Sequence, residues 1–341
     1  MADNPQAPTT ARIMITFAAF IVIVAGMKAA ASIIVPFLLS LFLAIICSAP
    51  ASWLKDRGLP AWVAIMIVIT GIIIAGVVLT GLVGASMKDF LSSLPRYNSA
   101  LDRRFEEILS WMNERGLELK GVDPSTAFEP ATVMQFTATL LNSLKDVLAN
   151  GLLIIITVIF MLLEASSFPR KLRTILDDPE KDLPHFDKFT RDVKHYLAIK
   201  TWICLGTGIL VTAFLMLIGV DYPILWGLLA FILNYIPTLG SIIAAIPAVL
   251  LSVVQYGWGM AVGVAAVYLA INLVMGSFVE PRVMGKGLGL STLVVFLSLL
   301  FWGWVLGPVG MVLSVPLTVT VKIALESRQD TAWIAVMLGS A

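Results

Sequence analysis

A carboxylate and two bases stand close together at Glu280, Arg282 and Lys286, in the stretch SFVEPRVMGKGLG. Pro281, Gly285, Gly287 and Gly289 run through it, residue types that hold backbone away from regular helix. After Lys286 no charged residue appears until Lys322. Charged groups beside unwound backbone at a membrane boundary are costly unless they are paired or functional. A carboxylate there can hold a monovalent cation and a proton in turn, the chemistry of an ion-coupled carrier. Glu280 is the first candidate for that work, with Asp221 and Glu164 behind it. Two readings of Glu280 stand together: ion coupling, with Arg282 as the contact a cation displaces, or a structural pair with Arg282 that anchors the elbow. Asp221 precedes Tyr222-Pro223 and also reads as a turn residue.

The second set of candidates is neutral. Asn234, Tyr235, Thr238, Ser241, Asn272 and Ser277 lie near breaks in long apolar runs. Asn234, Tyr235, Thr238 and Asn272 would supply a small polar solute with uncharged donors and acceptors. Asn234 also reads as a cap on a broken helix end. The breaks are Pro237-Thr238-Leu239-Gly240 and Gly307-Pro308-Val309-Gly310, each followed by a further proline, Pro247 and Pro316. Interrupted apolar segments in matching positions point to a transporter's binding site, because broken helices expose backbone N–H and C=O groups.

A bilayer must position these residues. Of 341 residues, 59% are hydrophobic and 13% charged, where a soluble domain carries about 25% charged. The pattern predicts an all-α polytopic membrane protein with about 8 spanning helices, among them short Pro/Gly-broken hairpins. Residues 1–87 read as a three-span region: Ile13–Ala31 with Lys28 at its end, Ala29–Leu54, and Gly58–Met87 with Gly71, Gly76, Gly81 and Gly84. The start, MADNPQAPTTAR, is a poor signal-peptide n-region, so the first span is expected to be retained. Residues 88–146 mix charges of both signs with apolar residues at helical spacing. Leu94, Tyr97, Leu101 and Phe105 form one stripe, ended by Gly116, and Val133, Phe136, Leu140 and Leu144 form another. These amphipathic helices are expected to pack on the protein itself.

Residues 147–341 hold the candidate sites. Val147–Leu163 spans, a charged linker covers 164–200, and Thr201–Val220 spans again. Tyr222–Val279 is 58 residues without a charge. It divides into a short helix to about Tyr235, a second from Leu239 to Gln255, and a span from Trp258 to Gly276; residues 222–256 read as a hairpin. Gly259 and Gly263 on that last span read as a packing pair. The run from Gly287 to Val321, at about 1.5 Å per residue, is too long for one crossing of a core about 30 Å thick. It reads as a second hairpin over 287–322, turning near Gly307–Gly310. Lys55/Arg57, Arg170–Arg173, Lys194/Lys200, Arg282/Lys286 and Lys322/Arg328 all fit one face, which places both termini in the cytoplasm and 88–146 outside.

Several functions are excluded. His185 and His195 fall in the charged linker, so no span supplies a histidine to a zinc or serine protease, and no HExxH is present. An aspartyl type needs two membrane carboxylates, and only Asp221 comes near. No GK[ST] phosphate loop exists, and a net charge of +1 argues against nucleic acid. Cys47 and Cys204 sit in apolar segments and read as small buried hydrophobes. No cofactor or metal is implied.

Two stretches carry a resemblance. VEPRVMGKGLGLSTLVVFLSLLFWGWVLGPVGMVLSVPL resembles the C-terminal signature of the autoinducer-2 exporter family of bacterial membrane proteins, and NYIPTLGSIIAAIP at Asn234–Pro247 resembles its other hallmark. The likeness runs through essentially the whole chain. It implies an inner-membrane transporter exporting the quorum-sensing signal autoinducer-2 or a similar small polar solute. Members are also linked to sodium or lithium efflux in exchange for protons, which gives an antiporter as the alternative; a passive oligomeric pore is another. The resemblance and the glycine-rich faces together favour a homo-oligomer.

Overall fold

Apolar runs become helix here because in hydrocarbon each backbone N–H and C=O must be satisfied within its own segment. The computed structural model describes residues 9–115, 130–165, 179–237, 239–284, 290–326 and 331–339. Among them 92% are helical and no sheet forms. Thr238, Gly285, Lys286, Gly287, Gly289, Gly116, Arg328 and the Arg170–Arg173 cluster lie outside the described residues. The helices are α1 Thr9–Ala29, α2 Ala31–Asp56, α3 Ala61–Glu114, α4 Pro130–Ala149, α5 Gly151–Glu164, α6 Pro179–Ile218, α7 Pro223–Leu233, α8 Leu239–Tyr256 and α9 Trp258–Asn272. A π-helical segment, Leu273–Val279, leads into α10 Glu280–Met284; α11 Thr292–Val312, α12 Ser314–Glu326 and α13 Ala332–Leu338 complete the chain.

Among the described residues six helices are long and apolar enough to cross a membrane, and a seventh crossing results if α4 and α5, bent by 52°, act as one. The expectation of about eight counted the first span and every hairpin arm. Helix α1 has 21 residues in all, and α7, with 11, is shorter than a full crossing. Outward faces are apolar, with Ile33, Trp202, Leu217, Val262 and Leu269 all exposed, as a lipid-facing surface requires.

The third span and the first amphipathic helix are not separate. They form the single 54-residue α3, which passes through Pro95. Its stripe packs inward as expected: Tyr97 and Leu101 are buried with Phe90, and Leu94 and Phe105 lie against the same core. That core also holds Leu141 of α4, Val211 and Leu215 of α6, and Trp226 of α7. Among the described side chains of α4, Thr137 and Leu141 are buried; the expected row of Val133, Phe136, Leu140 and Leu144 lies outside the described side chains. Trp258, at the start of α9, donates its indole N–H to the Arg104 carbonyl at 3.3 Å and meets Phe105 edge-on at 5.1 Å. The amphipathic stretch of α3 is thereby fixed to the α8–α9 corner.

Close helix packing falls at other glycines than expected. A Cβ at Gly71, Gly76, Gly81, Gly84, Gly259 or Gly263 would meet nothing within 4 Å. At Gly208 it would come within 2.8 Å of the Gly227 carbonyl, and at Gly227 it would overlap Thr212. Backbones of α6 and α7 touch there, and only glycine on both sides allows it.

Candidate functional site

Along α6 the side chains of Lys200, Cys204, Thr207 and Val211 follow i, i+4, i+7, i+11 spacing, one face of a helix. That face is the site's backbone. Lys200 is 3% exposed, and its ammonium donates to both oxygens of Glu280 at 2.8 and 2.9 Å. One residue on, Tyr235 donates its hydroxyl to Thr201 Oγ1 at 2.8 Å. Asn234 then sends its side-chain amide to Cys204 Sγ at 3.5 Å and to Thr207 Oγ1 at 3.4 Å. Thr207 lies about 10 Å along the helix from Lys200. There Thr207 and Val211 of α6, Ala230 of α7, Ser241 and Ala244 of α8, and Tyr268 and Asn272 of α9 enclose a small cavity.

The charged elbow is wired differently from its sequence reading. Glu280 pairs with Lys200, not with Arg282. In a helical turn, residues two apart do not face the same way, so Arg282 points off the face that Glu280 presents to α6. Arg282 is exposed, its guanidinium 6.0 Å from the Phe278 ring centroid. Pro281 is exposed beside it. The π segment lies between Asn272 and Glu280, so the helix loosens between the neutral cavity and the ion pair.

Asn234 ends α7, but its side chain crosses to α6 rather than capping the break. The break is closed by backbone: Ile236 N–H reaches the Leu233 carbonyl at 2.8 Å and Gly240 N–H the Ile236 carbonyl at 3.2 Å, with Pro237 in the turn. A Cβ on Gly240 would overlap the Leu233 carbonyl. Tyr235 is a positioned residue, its ring edge-on to Phe42 at 5.4 Å and to Phe231 at 5.8 Å.

The feet of the α7–α8 hairpin are tied at the far end of α6. Tyr256 donates its hydroxyl to the Gly219 carbonyl at 2.7 Å, and Asp221 N–H donates to Gln255 Oε1 at 3.2 Å. Asp221 is exposed there and accepts at its carbonyl from the Trp226 indole at 2.9 Å. It is a turn residue, remote from Glu280.

The second break matches its expected place. Gly307 takes φ 69°, which side chains other than glycine resist, and kinks α11 ahead of Pro308. A Cβ on Gly310 would overlap the Trp302 carbonyl, as at Gly240. Trp302 donates to Thr318 Oγ1 at 3.0 Å across α11 and α12, so the chain reverses between them. Leu313, just past that reversal, shares a buried cluster with Tyr235, Cys204 and Phe42.

Lys200, Cys204, Thr207 and Tyr268 carry weight that the sequence reading did not give them. Lys200 was legible only as one of several basic residues at a span's start. Its spacing to Cys204 and Thr207 was the available signal, as was the i, i+4 pair Tyr268 and Asn272.

Apolar helices broken at Pro237 and at Gly307–Pro308, neutral polar groups beside the first break and a buried ion pair define a polytopic α-helical membrane transporter. Known proteins carry the identification further. The family model described as AI-2E family transporter matches residues 17–329, and the chain belongs to that family. It is 43% identical over 334 residues to a protein of Haemophilus influenzae named "Putative transport protein", covering 96% of each chain. It is 40% identical over 341 residues to Escherichia coli K12 "Putative transport protein YhhT", covering 99% of this chain and 97% of that one. It is also 40% identical over 327 residues to the "AI-2 transport protein TqsA" of Escherichia coli K12, covering 96% and 95%.

Proposed function

We propose that the protein is a bacterial inner-membrane exporter of autoinducer-2 or a similar small polar solute, both termini cytoplasmic, and that it works as a homo-oligomer. The observation that carries this reading is the polar ladder on α6, in which a buried Lys200–Glu280 pair sits about 10 Å from the neutral group of Thr207, Asn234 and Asn272. Neutral donors and acceptors at that depth suit an uncharged, hydroxylated solute, since an ion would need a charged partner there. In this reading Asn234, Thr238, Asn272 and Thr207 contact the solute, Tyr235 holds the hairpin tip to α6, and Glu280 with Lys200 couples movement to protons or cations. Pro237, Gly240, Gly307, Pro308 and Gly310 are the hinges. The TqsA name supports the substrate. Copies would meet on glycine faces such as Gly71–Gly84, where an added Cβ would meet none of the described residues within 4 Å.

The Lys200–Glu280 pair also favours a second reading, Na⁺ or Li⁺ exchange for protons, because a cation that displaces the ammonium would find a ready carboxylate. Proteoliposomes decide between them. The first reading expects uptake of labelled autoinducer-2 that fails in Asn234→Ala and Asn272→Ala. Na⁺/H⁺ exchange with no solute uptake would replace it by the second.

A further inference from the structure

Glu280 is eight residues beyond Asn272, whereas Lys200 and Thr207, the residues of α6 that these two meet, are seven apart. Two turns of α-helix hold about 7.2 residues. In a continuous α-helix the residue two turns beyond Asn272 would therefore be Val279, which is apolar. The seven-residue π segment Leu273–Val279 takes up the odd residue. Its Glu280 end shows how: the Glu280 N–H reaches the Met275 carbonyl, five residues back, where an α-helix would use Gly276. One extra residue in the turn brings Glu280 onto the face of Tyr268 and Asn272, and so onto Lys200.

The segment's own packing is slight. None of its residues is buried, and Leu273, Val274 and Phe278 are exposed on the lipid-facing surface. Met275 is its approach to α6, with Cε 3.0 Å from where a Cβ on Gly206 would lie. The ends are held more firmly. Val264 and Tyr268 of α9 are buried in the core, and Glu280 is bound by the Lys200 ammonium at both oxygens. The register also carries a cost, because the Tyr268 hydroxyl is buried without a partner. π turns are rare and gather at functional sites.

We propose that the π segment is a register switch between the ion pair and the neutral group. Glu280 on Lys200 keeps the extra residue in the turn, and breaking that pair lets the turn rewind as α-helix. Rewinding replaces i→i+5 bonds by i→i+4 bonds and rotates α10 against α9 by one residue, about 100°. Val279 then takes the place of Glu280 on the α6 face, and Glu280 leaves the row of Tyr268 and Asn272. The state of the ion pair is thereby written into the helix that lines the neutral cavity. The purpose of the switch rests on the transport reading; its test needs no transport.

The test is a distance, measured by dipolar electron spin resonance on the purified full-length chain in phosphatidylcholine nanodiscs. Nitroxides go on Arg282→Cys and Trp202→Cys, both exposed positions. Cys47 and Cys204 are buried, and a chain without added cysteines measures their background. Glu280→Gln, or Lys200→Gln at less cost to folding, should add a second distance, displaced by up to a helix diameter of about 10 Å. Deleting Val274 removes the extra residue and leaves Glu280 in α register with Asn272. That chain should keep the pair and resist dodecyl sulfate as well as the parent does, and Glu280→Gln added to it should give no second distance. An unchanged distance in both pair-breaking variants, or broadening without a second peak, would overturn the proposal. So would a deletion as destabilising as Glu280→Gln, or a second distance that persists in the deletion. Proteoliposomes in which the parent chain moves no solute would end the transport reading alone, since the distances are read without it.

Discussion

Removing the Glu280 charge should strand a buried ammonium. The Lys200 side chain is 3% exposed and that of Glu280 24%. Deleting one partner of a buried pair costs about 3–5 kcal/mol. Because Glu280 keeps some contact with water, we place Glu280→Gln near the lower end, about 3 kcal/mol, or roughly a hundredfold in the folding equilibrium. Lys200→Gln should cost less, since the carboxylate left behind still reaches water. The double variant should be more stable than Glu280→Gln alone, with a coupling of about 2 kcal/mol. Arg282→Gln is the control: it faces elsewhere, and its effect should add to that of Glu280→Gln within about 0.5 kcal/mol. The assay is equilibrium unfolding of purified protein by sodium dodecyl sulfate in mixed micelles. Coupling of Glu280 to Arg282 and none to Lys200 would refute the assignment. The same double variant, once folded, separates anchor from coupler. If the pair only anchors, proteoliposome transport returns with stability; if Glu280 couples, transport stays lost.

Three further outcomes are expected. Gly227→Val should separate α6 from α7 and reduce folded yield severely, by more than about 2 kcal/mol of overpacking, whereas Gly76→Val should leave monomer yield unchanged; fluorescence-detected size exclusion reads both. Gly240→Ala should already abolish transport, because its methyl would overlap the Leu233 carbonyl, with membrane insertion followed by immunoblot to show that the chain is still delivered. A cysteine placed at Arg103 should react with an impermeant maleimide on intact cells and one at Lys322 should not; reaction of both from outside would reverse the proposed orientation.

The sequence was most legible where physics is local. Charge-free runs marked the helices, Pro237 and Gly307–Pro308 marked the breaks, and the α3 stripe of Leu94, Tyr97, Leu101 and Phe105 told which face is buried. Less legible was anything set by a distant segment. Glu280 and Lys200 are 80 residues apart, and nothing in either neighbourhood names the other, whereas Arg282 was close in sequence and wrongly placed on the helix. The glycine contacts failed for the same reason: Gly76 and Gly208 look alike in sequence, and only the fold brings Gly227 to the second. Asn234 was picked out by its place at a break, yet its partners Cys204 and Thr207 lay in a span that reads as plain apolar filler.

The two broken hairpins reach the site from opposite ends of α6. The first has its feet at Gly219 and its tip beside Thr201. The second follows the Glu280 elbow, at the Lys200 end, and its reversal brings Leu313 into the cluster that holds Tyr235 and Cys204. Breaking a helix in hydrocarbon frees carbonyls that need cover. Both tips use a glycine to lay backbone against the freed carbonyl, at Leu233 for Gly240 and at Trp302 for Gly310. With the break covered by backbone, Asn234 at the first tip is spared that task and crosses to Thr207. The second tip offers Val309, Val312 and Leu313 to the same cluster, all apolar. One hairpin thus contributes the polar contacts and the other an apolar wall against them. Two such tips, approaching from opposite sides and meeting beside the neutral group, are what a solute path needs if it is to open to one side while closed to the other.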